Sequence, residues 1–182
     1  MALWNIDTAH AQANFAARHM MITTVRGSFN RITGTINFDP ANPATASVEA
    51  VIDTTSMTST GVEQRDNHLK SPDFLDIEKY PTITFKSTKV EPNKDGTQAK
   101  VYGDLTIKDV TKPVVFDAEL LGQGTTPFGT TVAGFNGKIK INREDFGLNW
   151  NMALEAGGWL VGKEVNIELD VEAVLATEPA AV

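Results

Sequence analysis

The sequence predicts an all-β chain closed into an elongated, eight-stranded antiparallel barrel, with a short helical segment capping one end. Three observations predict it. Apolar and polar residues alternate with period two in run after run, turn residues separate the runs, and almost no helix is available to cover the dry face of each run. Strands with one wet and one dry face have two solutions, a sandwich of two sheets or one sheet closed on itself. Eight strands close into a barrel just wide enough for packed side chains or one slim ligand. Several runs are near ten residues, which at ~3.3 Å per residue span about 30 Å, so the tall, narrow barrel is preferred. A length of 182 residues suits one domain, 1–182, because no stretch is polar or Pro/Gly-rich enough to be a linker.

The runs follow in order. Strands are expected at about 11–19, 27–38, 46–54 and 81–90. Asp95-Gly96 marks a hairpin before "AKVYGDLTIK", where Val101, Gly103, Leu105 and Ile107 share one face. "DVTKP" (109–113) is a tight corner before "VVFDAEL", which sets Val114, Phe116, Ala118 and Leu120 against Asp117 and Glu119. "GQGTTPFG" (122–129) is a looser corner before a run at 131–142. The last run, "VNIELDVEAV", is the clearest: Val165, Ile167, Leu169 and Val171 oppose Asn166, Glu168, Asp170 and Glu172. Short connections favour antiparallel neighbours, since parallel pairs need long crossovers.

The inward parity mixes small and large residues. Ala11, Ala13, Ala17, Gly34, Ala50, Gly103, Ala118, Ala133 and Gly137 are small. Between them stand Phe15, Ile36, Phe38, Ile52 and Phe85, and further along the chain Leu105, Phe116, Phe135, Ile139 and Ile167. Two readings stay open with equal weight: small against large fits a tapered, packed core, or the small residues leave an apolar tube for a ligand. Ten buried CH₂-sized units at ~0.8 kcal/mol each give about 8 kcal/mol gross, enough for roughly micromolar binding before ordering costs. These large residues are therefore the cavity candidates, with His19 on the parity of Phe15, Phe74 beyond the helix and Trp159 before the last run.

One stretch stands apart. "RDNHLKSPDF" (65–74) places Arg65, Asp66, His68 and Lys70 together in a chain of strands. Thr60 with Glu63 has capping-box spacing, and Ser71-Pro72 stops the helix that it starts. Val62 and Leu69 share a face, with Phe74 and Leu75 in the next turn, so the segment reads as a plug over a barrel end. Arg65, Asp66 and His68, with His10, are candidates for the rim or for a lipid head group, and the rim role is favoured because buried polar groups are usually there to be satisfied.

Motifs of chemistry are missing. The chain has no Cys, which excludes disulfides, thiolate metal sites and cysteine nucleophiles. His10, His19 and His68 show no metal-ligand spacing, so no metal is expected. Asp66 and His68 lack a partnering GxSxG nucleophile, and "GGWLVGKE" ends in Glu164 where a phosphate-binding loop needs Ser or Thr. A net charge of −7 argues against nucleic acid and against docking on an anionic membrane surface. "MALWNIDTAH" is no signal peptide, and no apolar run approaches the ~20 residues of a membrane helix. The chain as given is expected to be cytoplasmic, or periplasmic if its N-terminus was processed or engineered.

"RDNHLKSPDF…YPTITFKST", then "GDLTIKDVTKPV" and "INREDFGL", strongly resemble the YceI-like family of polyisoprenoid-binding, lipocalin-like proteins. "WNIDTAHAQANFAARHM" resembles that family's first strand and "VRGSFNRITGTINFD" its second, so the likeness runs from about Trp4 to Val174. The resemblance implies an elongated barrel holding a long isoprenoid or similar amphiphile, often as a homodimer, with no established catalysis. By position, His10, His19, Arg65, Asp66, His68, Asp145 and Phe146 match the family's recurrent polar and turn residues. Ala11, Ala13 and Ala17 stand where the family usually shows Ser and Val, and Asp109 where Gly is common. "NWNMALEAGGWLV" is a longer loop than the family's pattern leads one to expect, and Trp150 and Trp159 are expected to fold over an opening.

The expected function is binding of an isoprenoid or isoprenoid-tailed quinone, with a fatty acid or amide second, as carrier, store or sensor and without a cofactor. An enzyme acting on a lipid head group through Arg65, Asp66 and His68 is the alternative. A ligand-free, structural or stress-related barrel is the third.

Overall fold

Residues 1–177 are described by the computed structural model; 178–182, the end of the expected domain, lie outside the described residues. Among the described residues nine strands form one antiparallel sheet: β1 (Ala2–His19), β2 (Thr23–Phe29), β3 (Ile32–Phe38), β4 (Ser47–Asp53), β5 (Thr82–Pro92), β6 (Gln98–Ile107), β7 (Val110–Thr125), β8 (Thr131–Asn142) and β9 (Val161–Leu175). Pairing of β1 with β9, from Trp4↔Leu175 to His19↔Val161, closes the sheet into a barrel.

The barrel nevertheless has eight staves. One flank of β1 pairs with β2 over Ala13–His19 and with β3 over Ala2–Asn5, so β2 and β3 lie end to end in a single stave. The expected strand 27–38 is thus two strands, broken at Asn30-Arg31. The break faces a bulge in β1, where the pairing with β9 jumps from Ile6↔Ala173 to Ala11↔Val171. The first strand begins at Ala2 and not near residue 11, and its first part is hidden in the sequence because the same bulge interrupts the period-two pattern.

Turn chemistry sets the remaining corners. The corner expected over 109–113 is tighter: Lys108 and Asp109 alone connect β6 to β7, with Lys108 in the left-handed region (φ 56°), and Pro113 already lies in β7 opposite Asp104. β7 likewise runs on to Thr125, through most of the expected loose corner.

The sequence 54–81 crosses one end of the barrel and carries the helix α1 (Glu63–Lys70). Ser71 ends it as expected, but the capping box does not form: Val62 is the N-cap, and its side chain makes no cap bond. Val62 is also exposed, so the helix's dry face is Leu69, continued by Phe74 and Leu75. The opposite end of the barrel is formed by the turns after β3, β5 and β7.

Candidate functional site

Between the barrel walls lies a cavity of about 310 Å³. Of the expected cavity residues, Phe15, Ile36, Phe38, Ile52 and Phe74 line it, as do Phe85, Leu105, Phe116, Phe135 and Ile167. Three do not. Ile139 packs in the wall without bordering the space. His19 sits half-buried at the tip of the β1–β2 hairpin, because β1 ends there and Met20 turns away to bond Leu160 O. Trp159 is 48% exposed on the loop before β9 and does not border the cavity.

The small residues divide in the same way. Ala13, Ala17, Ala50, Ala118 and Gly137 border the cavity. Gly34 and Gly103 do not, because their missing side chains are filled by neighbours. A Cβ at Gly103 would lie 2.5 Å from Lys86 O and 2.5 Å from the Phe85 ring; one at Gly34 (φ +149°) would lie 2.1 Å from Glu49 O. Ala11 and Ala133 are buried wall residues. The inward face is packed where a ring or a neighbouring backbone fills the space beside a glycine, and hollow beside Ala13, Ala17, Ala50 and Ala118.

Leu69, Phe74 and Leu75 close one end of the cavity. That plug is fastened from both sides. Met57 bridges to Phe29, and Thr58 N donates to Ser28 O at 2.7 Å, so the chain entering α1 adds to the free edge of β2. Asp66, buried, accepts from Ser59 Oγ at 2.6 Å, from Thr60 N at 2.8 Å and from Thr60 Oγ1. The Ser59 and Thr60 hydroxyls, with the Thr60 amide, bring its pKa down to about 2. Arg65 turns back to Thr60 as well, through Nε to Oγ1 (2.8 Å) and Nη2 to the carbonyl (2.7 Å).

His68 faces another way. Its ring meets Trp150 edge to face at 4.4 Å and Phe74 at 5.0 Å, and Nε2 lies 2.9 Å from Asp73 Oδ2. Arg65 and Asp66 therefore bind within their own segment and do not converge with His68. Trp150 packs against the plug, its ring meeting those of His68 and Phe74. His10 is not at a rim: it stands exposed on the outer face of the β1 bulge, with Nδ1 2.8 Å from Asp7 and 3.8 Å from Glu172, and the Asp7 hydrogen bond raises its pKa.

One buried residue beside the cavity is absent from the sequence-based candidates. Arg143, 3% exposed, borders the cavity beside the plug. Its Nε donates to Gly162 O (2.8 Å), Nη1 to Leu148 O (2.6 Å) and Trp150 O (2.9 Å), and Nη2 to Val161 O (3.3 Å). The signal was present: Ile139 and Ile141 are inward residues of β8, and Arg143 is next on the same parity. Asp145, two residues on, is exposed, and Phe146 is buried.

Comparison with known proteins places these features. A family model described as a YceI-like domain matches residues 4–173. The chain is similar to a UPF0312 protein of Vibrio cholerae, 42% identical over 171 residues that cover 93% of this chain and 85% of the relative. Among solved structures it is similar to BcnA of Burkholderia cenocepacia, with a TM-score of 0.77 at 25% identity, covering 94% of this chain and 99% of that one. A polyisoprenoid binding domain from Saccharophagus degradans shares the fold, with a TM-score of 0.71 at 13% identity over 97% and 100% of the two chains.

Proposed function

This chain belongs to the YceI-like family, and from that premise we propose that its barrel binds a long-chain isoprenoid or related amphiphilic lipid, as carrier, store or sensor and without catalysis. The observation that carries the reading is the cavity itself, about 310 Å³ of space to which the surrounding residues present an almost wholly apolar surface. It has room for roughly ten water-sized groups at ~30 Å³ each, and a dry apolar space of that size gains most by taking a hydrocarbon. The polyisoprenoid binding domain of S. degradans, built on the same fold, supports an isoprenoid as the first candidate. An isoprenoid-tailed quinone fits the same reasoning.

The enzyme reading has less support. Hydrolysis of a head group needs a nucleophile, a base and its orienting partner within hydrogen-bond reach. Asp66 is occupied by Ser59 and Thr60, while His68 lies against Trp150 and Asp73.

Mass spectrometry of an organic extract from natively purified protein tests the proposal, with a denatured control for surface adsorption. A stoichiometric long-chain lipid is expected. If the extract is clean and no added isoprenoid raises the melting temperature, the packed, ligand-free barrel is the better description.

A further inference from the structure

The plug end of the barrel carries apolar side chains that the core does not use. Met20 and Met21 form the tip of the β1–β2 hairpin, in a turn that Ile22 N closes by donating to His19 O at 3.1 Å. Both lie in the left-handed region (φ 50° and 60°), which suits Asn and Gly and is costly for methionine. Burial does not offset that cost: Met20 is 42% exposed, Met21 66% and the adjoining Ile22 72%. The loop before β9 extends the same surface. Met20 N donates to Leu160 O at 2.7 Å, and the Met21 thioether lies against Gly158, where a Cβ would come within 2.7 Å of Sδ. Met152 and Trp159 are exposed on that loop, and Asn151 holds its base by bonding both Val161 N (3.0 Å) and Val161 O (2.7 Å). Trp150, just before it, packs on the plug. Across residues 19–24 and 149–160 the only formal charge is Glu155, in a chain of which 21% is charged. The surface is thus apolar, charge-poor, hydrogen-bonded in place and continuous with the plug.

Resting on the lipid-binding reading, we propose that this surface docks the protein on a lipid bilayer of low surface charge, with the plug turned toward the membrane. A hydrocarbon passing between bilayer and cavity avoids water only if the mouth of the cavity meets the bilayer directly. Leu69, Phe74 and Leu75 close the cavity at this end, so the apolar surface lies where that contact is needed. Methionine and isoleucine side chains suit the acyl boundary, and Trp159 suits the head-group level. Arg18, exposed beside the tip with Nη1 donating to Ile22 O, is placed to meet lipid phosphates. The net charge of −7 disfavours an anionic surface, so the apolar side chains carry the binding and long-range attraction does not.

Flotation with phosphatidylcholine vesicles, with and without phosphatidylglycerol, tests the proposal on the full chain. Wild type is expected to float with the neutral vesicles, and no better when the anionic lipid is added. Met20→Asn combined with Met21→Gly suits the turn, so the melting temperature should hold or rise while vesicle binding weakens about tenfold or more. Ile22→Ser, outside the strained pair, should weaken binding in the same direction and decides the matter if the double variant does not fold. Phe128→Ser removes an exposed ring from the turn after β7, at the opposite end, and should bind like wild type. Loss of binding in Phe128→Ser, or full binding in the tip variants, overturns the proposal. A wild type that ignores vesicles overturns it too, and a dimer that the tip variants dissolve would then name a second copy as the occupant. In each of these cases a rise in melting temperature with farnesol leaves the lipid reading standing. Absence of vesicle binding together with a clean organic extract and no farnesol effect overturns both.

Discussion

The amide of Thr60 donates to Asp66 Oδ1 at 2.8 Å, six residues ahead in the chain, and ties the strap before α1 to the helix itself. With the hydroxyls of Thr60 and Ser59 on the same carboxylate, the plug's conformation is fixed by one buried anion. Asp66→Ala leaves three donors without their acceptor. It is expected to cost about 1–3 kcal/mol, with faster amide exchange over residues 63–70 than in the barrel strands. Hydrogen exchange by mass spectrometry checks this, and unchanged protection of α1 would remove Asp66 from the role.

Acid should release the same latch. The carboxyl of Asp66 titrates at about 2 in the folded chain, below the 3.8 of a free aspartate. Between those values the unfolded chain binds more protons than the folded one, so stability rises with pH across that window. The contribution is fully present above about pH 4 and is lost as pH falls toward 2. Asp7, Asp53 and Asp95 are lowered too, so the measurement is the difference in stability between wild type and Asp66→Asn, followed from pH 2 to 5. That difference is expected to shrink toward the acid end.

Much of this architecture was legible because alternation reports burial directly. In β9, Ile167 and Leu169 face the cavity while Glu168 faces Lys138 across the outer sheet. Legibility failed where the period breaks. The bulge at Asp7–His10 hid the first half of β1, and the break at Asn30-Arg31 looked like ordinary continuation. Capping spacing misled at Thr60, whose hydroxyl serves Asp66 and not the helix N-terminus. Which small residue is hollow and which is covered depends on ring positions across neighbouring strands, and no single run contains that information.

Gly103 tests the covered positions. Its neighbour across the pair is Ser87, and the Phe85 ring lies over its missing side chain. Gly103→Ala places a methyl against the Lys86 carbonyl, which belongs to a paired strand and cannot swing aside. A loss of about 1–3 kcal/mol is expected from overpacking, measured by denaturant unfolding. A neutral result would mean that the strand around Lys86 shifts and Phe85 moves into the cavity, and lipid retention would then fall instead.

His68 separates plug from catalyst. Its ring fills the angle between Phe74 and Trp150, each an edge-to-face contact, and it is half-buried. Removing two aromatic contacts of this kind costs about 1–3 kcal/mol. His68→Ala is therefore expected to lower stability by roughly that much while leaving most bound lipid in place after purification. Turnover of a lipid head group by wild type, lost in His68→Ala, would reverse the assignment.

The hollow positions give the sharpest contrast with Gly103. Ala17 borders the cavity on β1 between Val25 and Val165, and Ala118 borders it on β7 between Ala99 and Gly137. A leucine at either site projects into free space, where its added methyl groups gain contacts that the alanine lacks. Burying them is worth roughly 0.8 kcal/mol per carbon, less the entropy of fixing the new side chain. Ala17→Leu and Ala118→Leu are thus expected to leave the delipidated protein as stable as wild type or slightly more so. Both should bind added lipid more weakly, because the same volume is now occupied. Melting temperatures measured with and without farnesol show both effects at once: the ligand-free value holds or rises, and the ligand-induced increase shrinks. Destabilisation of both variants by the 1–3 kcal/mol typical of overpacking would instead mean that the cavity closes up in solution.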